Sequence, residues 1–114
     1  MKPRLYLSAP CSGYEDAERD EYFGKWQRYF ESFGYTVFNP RKNGLDSSAT
    51  WTEHMRRDIA ELCSCDILVR ISETASPGVK LEVLVALELN LKFVSYDELL
   101  RCYGDAVKLD YLLS

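Results

Sequence analysis

The sequence predicts an α/β fold: a small doubly wound sheet of four to five mainly parallel strands with helices on both faces. Three observations predict it. Short apolar runs of strand character alternate with helical patterns along the whole chain, an order that leads to parallel strands joined by crossover helices. Residues 65–72 (CDILVRIS) suit a buried strand, and the stretch 76–86 (SPGVKLEVLVA) then opens with Ser-Pro-Gly, the chemistry of a helix start. The helix that follows is apolar nearly all round, so it must be covered on more than one side. With 114 residues, 46% hydrophobic and 28% charged, the chain has enough material for one core and one domain, residues 1–114.

Residues 4–9 (RLYLSA) form the first strand and run into Ala9-Pro10-Cys11-Ser12-Gly13, so the strand opens onto a loop. Tyr6 sits inside it, either as a core tyrosine whose hydroxyl finds a partner or as a site residue. Residues 16–33 carry Phe23, Trp26, Tyr29, Phe30 and Phe33 at near-helical spacing, a stripe that reads as core, and Gly34 closes the helix. Residues 35–39 make a second strand, stopped by Pro40. The polar loop 41–50 is a flap over a site or a mobile connection. Thr50 caps a second helix, residues 51–64, with Met55, Ile59 and Leu62 on its apolar face and Asp58 on the flank. Asp66 begins the third strand and is expected to turn back onto backbone N–H groups between helix and strand. After the helix 77–89, Asn90 is the stop, residues 91–95 are a fourth strand, and one amphipathic tail helix runs from about residue 96. The order β-α-β-α-β-α-β-α is that of flavodoxin- or Rossmann-like domains.

Bulk properties exclude several classes. A net charge of −4 and a pI near 5.0 argue against nucleic-acid binding through a basic face. No apolar run reaches the roughly 20 residues of a membrane span, and Met1-Lys-Pro-Arg leads into a strand without a signal-peptide core. Cys11, Cys63, Cys65 and Cys102 show neither a disulfide framework nor CxxC spacing, and His54 is the one histidine. The expectation is therefore a cytoplasmic protein with free thiols, no metal site and no cofactor.

The start of the 77–89 helix is where ligand chemistry is expected. Ser76 at the N-cap, Pro77 and Gly78 leave backbone N–H groups facing outward, where a phosphate or other anion is held, although such a cap also serves with no ligand at all. Glu82 lies one and a half turns further on. A carboxylate among Leu81, Val83, Leu84, Val85 and Ala86 has almost no polar face to occupy and needs a partner or a task. It also stands beyond the carboxyl end of a strand, where open α/β sheets keep their ligands.

Three stretches together resemble the nucleoside 2-deoxyribosyltransferase superfamily, in particular its small bacterial and phage (DUF4406-like) branch and its 2′-deoxynucleoside 5′-monophosphate N-hydrolases. They are Tyr6-Leu7-Ser8-Ala9-Pro10 with Gly13, the pair Asp58 and Asp66 eight residues apart, and Ser76-Pro-Gly-Val-Lys-Leu-Glu82 followed by Ala86. The resemblance implies a retaining attack by Glu82 on the anomeric carbon, Asp58 as second carboxylate, and Tyr6 bonded to nucleophile or sugar. It places Ser8, Gly13, Ser76 and Gly78 on the substrate or its phosphate. A serine at position 76 is similar to the monophosphate hydrolases, where the transferases tend to have Asp; Lys80 stands where those hydrolases have glycine. The implied partner is a nucleotide or nucleoside. The reading from a different class is a nucleotide-binding module, a sensor or sponge, without turnover.

Assembly is legible in the same helix. Leu81, Val85 and Leu89 form one row and Val79, Val83 and Leu87 another, and one sheet does not bury both. A homodimer or dimer of dimers would cover the second row, as in the resembling family; the alternative is that the second and tail helices cover it within one chain.

Overall fold

The computed structural model describes residues 2–11 and 13–114; Met1 and Ser12, the latter in the predicted turn after the first strand, lie outside the described residues. Among the described residues four parallel strands, β1 (Arg4–Ser8), β2 (Thr36–Phe38), β3 (Ile67–Arg70) and β4 (Lys92–Val94), form one sheet in the order β2-β1-β3-β4. The helices are α1 (Asp16–Ser32), α2 (Trp51–Leu62), α3 (Pro77–Glu88), α4 (Tyr96–Arg101) and α5 (Ala106–Leu112), with a 3-10 turn at Pro40–Lys42. The α/β class and the layered parallel sheet are as predicted. Among the described residues no helix is long and apolar enough to cross a membrane.

The alternation of side chains along a strand sorts the two cores. Leu5 and Leu7 of β1 join Ile67 and Val69 of β3 on one face, where Phe23, Trp26 and Phe30 of α1 and Leu99 and Leu109 of the tail cover them. Tyr6 and Leu68 go to the other face, against Leu62 of α2 and Ala86 of α3. β1 is a central strand with β2 on one side and β3 on the other, and the helix after β1 covers one face while the helix after β3 covers the opposite one. Such a reversal opens a crevice at the carboxyl ends of β1 and β3. Ser8 shares its parity with Tyr6, so both hydroxyls face the α2–α3 side.

Helix boundaries follow local chemistry. Thr50 and Glu53 form a reciprocal capping box at the start of α2. Gly34, at φ 90°, ends α1 with bonds from its N–H to the Glu31 carbonyl at 2.9 Å and from Tyr35 N–H to the Phe30 carbonyl at 3.2 Å. Asn90 takes the same left-handed role at φ 57°, and Leu91 N–H bonds the Ala86 carbonyl at 2.9 Å.

Four expectations are corrected. The tail is two helices, because Gly104 at φ 78° turns the chain between α4 and α5; its N–H donates to the Tyr29 hydroxyl at 2.9 Å, while Tyr103 stacks on the Tyr29 ring. Strands and helices are trimmed by a residue or more, α2 ending at Leu62 and β2 spanning three residues. Asp66 does not serve the junction of α2 and β3: its carboxylate accepts from the Arg4 N–H at 2.7 Å, and its own N–H bonds the Arg4 carbonyl at 2.9 Å, so it pins the start of β1. Neither apolar row of α3 is the buried one. Val79, Glu82 and Ala86 face inward, while Leu84, Leu87 and Leu89 are more than half exposed. The small Ala86 lets the helix approach the sheet, and hydroxyls on β1 draw Glu82 in. Because α4 and α5 pack with α1, the tail does not cover the outer face of α3.

Candidate functional site

Glu82 lies on the second turn of α3, 5% exposed. Its Oε1 accepts from Ser8 Oγ at 3.0 Å, and its Oε2 accepts from the Tyr6 hydroxyl. The period of two along β1 makes this possible: residues 6 and 8 point to the same side, about 7 Å apart along the strand, and one carboxylate spans them. Burial pushes the Glu82 carboxyl up to about 7, with the charge of Asp58 adding to it, against the two hydroxyl bonds and Arg70, which pull it down. Burial first and then the neighbouring Glu82 raise the Tyr6 phenol well above its ordinary range, so it stays a donor.

Asp58, on the flank of α2, is also 5% exposed, and Asn43 Nδ2 donates to its Oδ1 at 2.9 Å. Burial raises its carboxyl too, opposed by the Asn43 bond and by His54 and Arg57. Asp58 and Glu82 line one open cavity of about 950 Å³ between the loop after β1, the 3-10 turn, α2 and the start of α3. Gly13, Ser76 and Gly78 line it as well. Tyr6 and Ser8 do not. Both are fully buried behind Glu82, so Ser8, expected against substrate, spends its hydroxyl on the carboxylate instead.

At the start of α3 the sequence suggests several outward N–H groups, and the fold leaves fewer. Pro77 has none, Val79 N–H is capped by Ser76 Oγ at 3.2 Å, and Lys80 N–H bonds the Ser76 carbonyl at 2.9 Å. Of this first turn, Gly78 keeps an N–H with no partner among the described residues. A Cβ at Gly78 would meet Met55 Sδ at 3.3 Å, a tight contact that the Met55 side chain would have to relieve by a small shift.

Sequence reasoning missed Asn43, His54, Arg41 and Arg70. His54 lines the cavity one turn before Asp58, a spacing that was visible on the helix. Arg41 carried no signal; it is held by Asp20 at 2.8 Å and Asp16 at 3.0 Å and so is already neutralised. Arg70, at the end of β3, donates to the Ser72 and Thr74 carbonyls at 2.6 Å each and thereby ties the loop that leads into Ser76. Among the described residues no three or more His, Cys, Asp or Glu side chains are grouped to hold a metal ion.

A family model described as a domain of unknown function, DUF4406, matches residues 3–95. Among solved structures the chain is similar to a CMP N-glycosidase from Clostridium botulinum, BcmB, with a TM-score of 0.58 and 16% identity over 97% of this chain and 82% of that chain, a likeness of fold. No curated protein matches the chain in sequence.

Proposed function

The chain belongs to the DUF4406 family, and from that premise we propose that it breaks the N-glycosidic bond of a nucleotide or nucleoside by a retaining mechanism with Glu82 as nucleophile. The observation that supports this most is the buried Glu82 carboxylate, held at both oxygens by Tyr6 and Ser8 and sharing its cavity with Asp58. The activity in the name of the BcmB structure, CMP N-glycosidase, is in keeping with it. In the first step a Glu82 oxygen bonds to the anomeric carbon, the carbon–nitrogen bond breaks, and its electron pair leaves with the base, which takes a proton from Asp58. In the second, water gives a proton to the Asp58 carboxylate and its oxygen displaces Glu82 from the sugar; another base in place of water would make the reaction a deoxyribosyl transfer. The Tyr6 and Ser8 hydroxyls orient the carboxylate for attack and stabilise it when it leaves.

The test is a panel of ribo- and deoxyribonucleosides and their 5′-monophosphates, followed for free base by chromatography. Free base that grows with time and protein concentration is the expected result. Binding without release would assign the site to a nucleotide-binding module instead. Within the panel, Gly78 N–H and the positive end of α3 favour a 5′-phosphate, by about 1–3 kcal/mol for a charge-assisted hydrogen bond; equal affinity for a nucleoside and its monophosphate excludes that part.

We propose further that two chains pair through the outer face of α3. Leu84 and Leu87 are 55% and 56% exposed and lie one turn apart on a helix whose inner face is already used. Monomers seldom leave such a patch open. Light scattering at micromolar concentration should give twice 13.2 kDa, and Leu84→Asp with Leu87→Asp should give a monomer. An active wild-type monomer would overturn the pairing.

A further inference from the structure

Asn43 follows the 3-10 turn in a polar loop, yet it is 4% exposed. Every polar group of its side chain is engaged. Its Oδ1 accepts from the Leu45 N–H at 3.0 Å, and its Nδ2 lies 2.9 Å from Asp58 Oδ1 and 3.0 Å from His54 Nδ1. Its backbone carbonyl accepts from Arg57 Nε at 3.1 Å. The Leu45 N–H and the Asp58 carboxylate fix which end of the amide is oxygen, since a flip would set donor against donor and acceptor against acceptor. An amide nitrogen has hydrogens to give and no lone pair to offer. His54 Nδ1 must therefore accept, and in the neutral ring the proton sits on Nε2.

We infer that Asn43 is a positioning residue that fixes His54 and Asp58 as one recognition pair, an imidazole Nε2–H beside the open Oδ2 of the Asp58 carboxyl group, for the heterocycle of the ligand. His54 and Asp58 are one helical turn apart on α2 and both line the cavity. Asp58 Oδ2 has no partner among the described residues, and with Nδ1 tied to Asn43 the ring's other hydrogen-bonding atom is Nε2. A nucleobase carries carbonyl and ring-nitrogen acceptors; Nε2–H donates to one, and Asp58 Oδ2, carrying the proton that the proposed mechanism requires, donates to another. The charged and titratable groups around Asp58 are His54 and Arg57 on its own helix, Glu82 on α3, Tyr6 on β1 and Cys11 in the loop after β1. The inference rests on the proposed glycosidic reading only for the identity of the ligand and the proton on Asp58.

The chain has one histidine, so a ¹⁵N-labelled sample offers one imidazole to follow by NMR. The wild-type neutral ring is expected as the Nε2–H tautomer. Asn43→Asp keeps an acceptor for the Leu45 N–H but faces His54 with a carboxylate; the neutral ring's proton should move to Nδ1. Asn43→Ala should leave a mixture of tautomers, with the far-ultraviolet spectrum reporting that the fold persists. A wild-type Nδ1–H tautomer, or an unchanged ring in Asn43→Asp, overturns the inference, and neither readout depends on turnover. Addition of a deoxynucleoside monophosphate should shift the Nε2–H resonance, and base-free deoxyribose 5-phosphate should not. A shift with both, or with neither, removes the heterocycle from the pair. A shift with the nucleotide and no base release would retain the pair and reject the glycosidase.

Discussion

Glu82→Gln should abolish base release, a loss of at least about 10³-fold in kcat, because the covalent route needs an oxygen nucleophile that an amide does not supply. The same variant should be more stable than the wild type above neutral pH. Burial holds the Glu82 carboxyl at about 7, above the 4.5 it has when solvated, so the unfolded chain ionises it first. As pH rises from 4.5 the folded state falls behind, and the cost grows until about pH 7 and is constant beyond. A shift of that size at about 1.4 kcal/mol per unit corresponds to roughly 3 kcal/mol, an upper figure for what glutamine recovers. Chemical denaturation of both proteins at pH 4 and pH 8 measures it. Expected is a gap that is small in acid and large in base. Loss of activity with gain of stability marks a carboxylate held in a costly place for chemistry. Unchanged base release in Glu82→Gln would remove it as the nucleophile; a loss of stability at pH 8 would mean that it is a structural charge.

The second large effect is the pH profile. Glu82 must be ionised to attack and Asp58 protonated to release the base, so the productive form of the pair carries one proton. Base release should then peak between two macroscopic pKa values that belong to the pair and fall about tenfold per pH unit on either side. The first falls because both carboxyls are protonated, the second because both are ionised. Asp58→Asn should lose one limb along with most of the rate for bases that need a proton to leave. Tyr6→Phe deletes a hydrogen bond to the ionised form of Glu82 and should move the Glu82 limb to higher pH. A rate that rises through neutrality and stays flat in strong base would show that Asp58 is not the acid.

What the sequence determined by itself was everything that depends on residues within a turn or a strand of one another. The alternation of elements, the Thr50 and Ser76 caps, the stops at Gly34 and Asn90 and the shared face of Tyr6 and Ser8 are local, and their physics is the hydrogen-bonding and steric demand of a few adjacent residues. The candidate site was legible to the same depth: Glu82 stood out because a carboxylate in a helix apolar all round has no polar face to occupy, and the resemblance supplied Asp58. Partners were not legible. That Ser8 and Tyr6 would bind a carboxylate 74 and 76 residues away, that Asp66 would hold Arg4, and that Asn43 would join Asp58 to His54 follow from how the helices seat on the sheet. An apolar helix also has no preferred face in its own sequence, so the orientation of α3 was decided by β1, whose two hydroxyls lower the cost of burying Glu82. Only tertiary packing could choose that face, because the desolvation of a charge is offset by groups that the chain brings near only once it is folded.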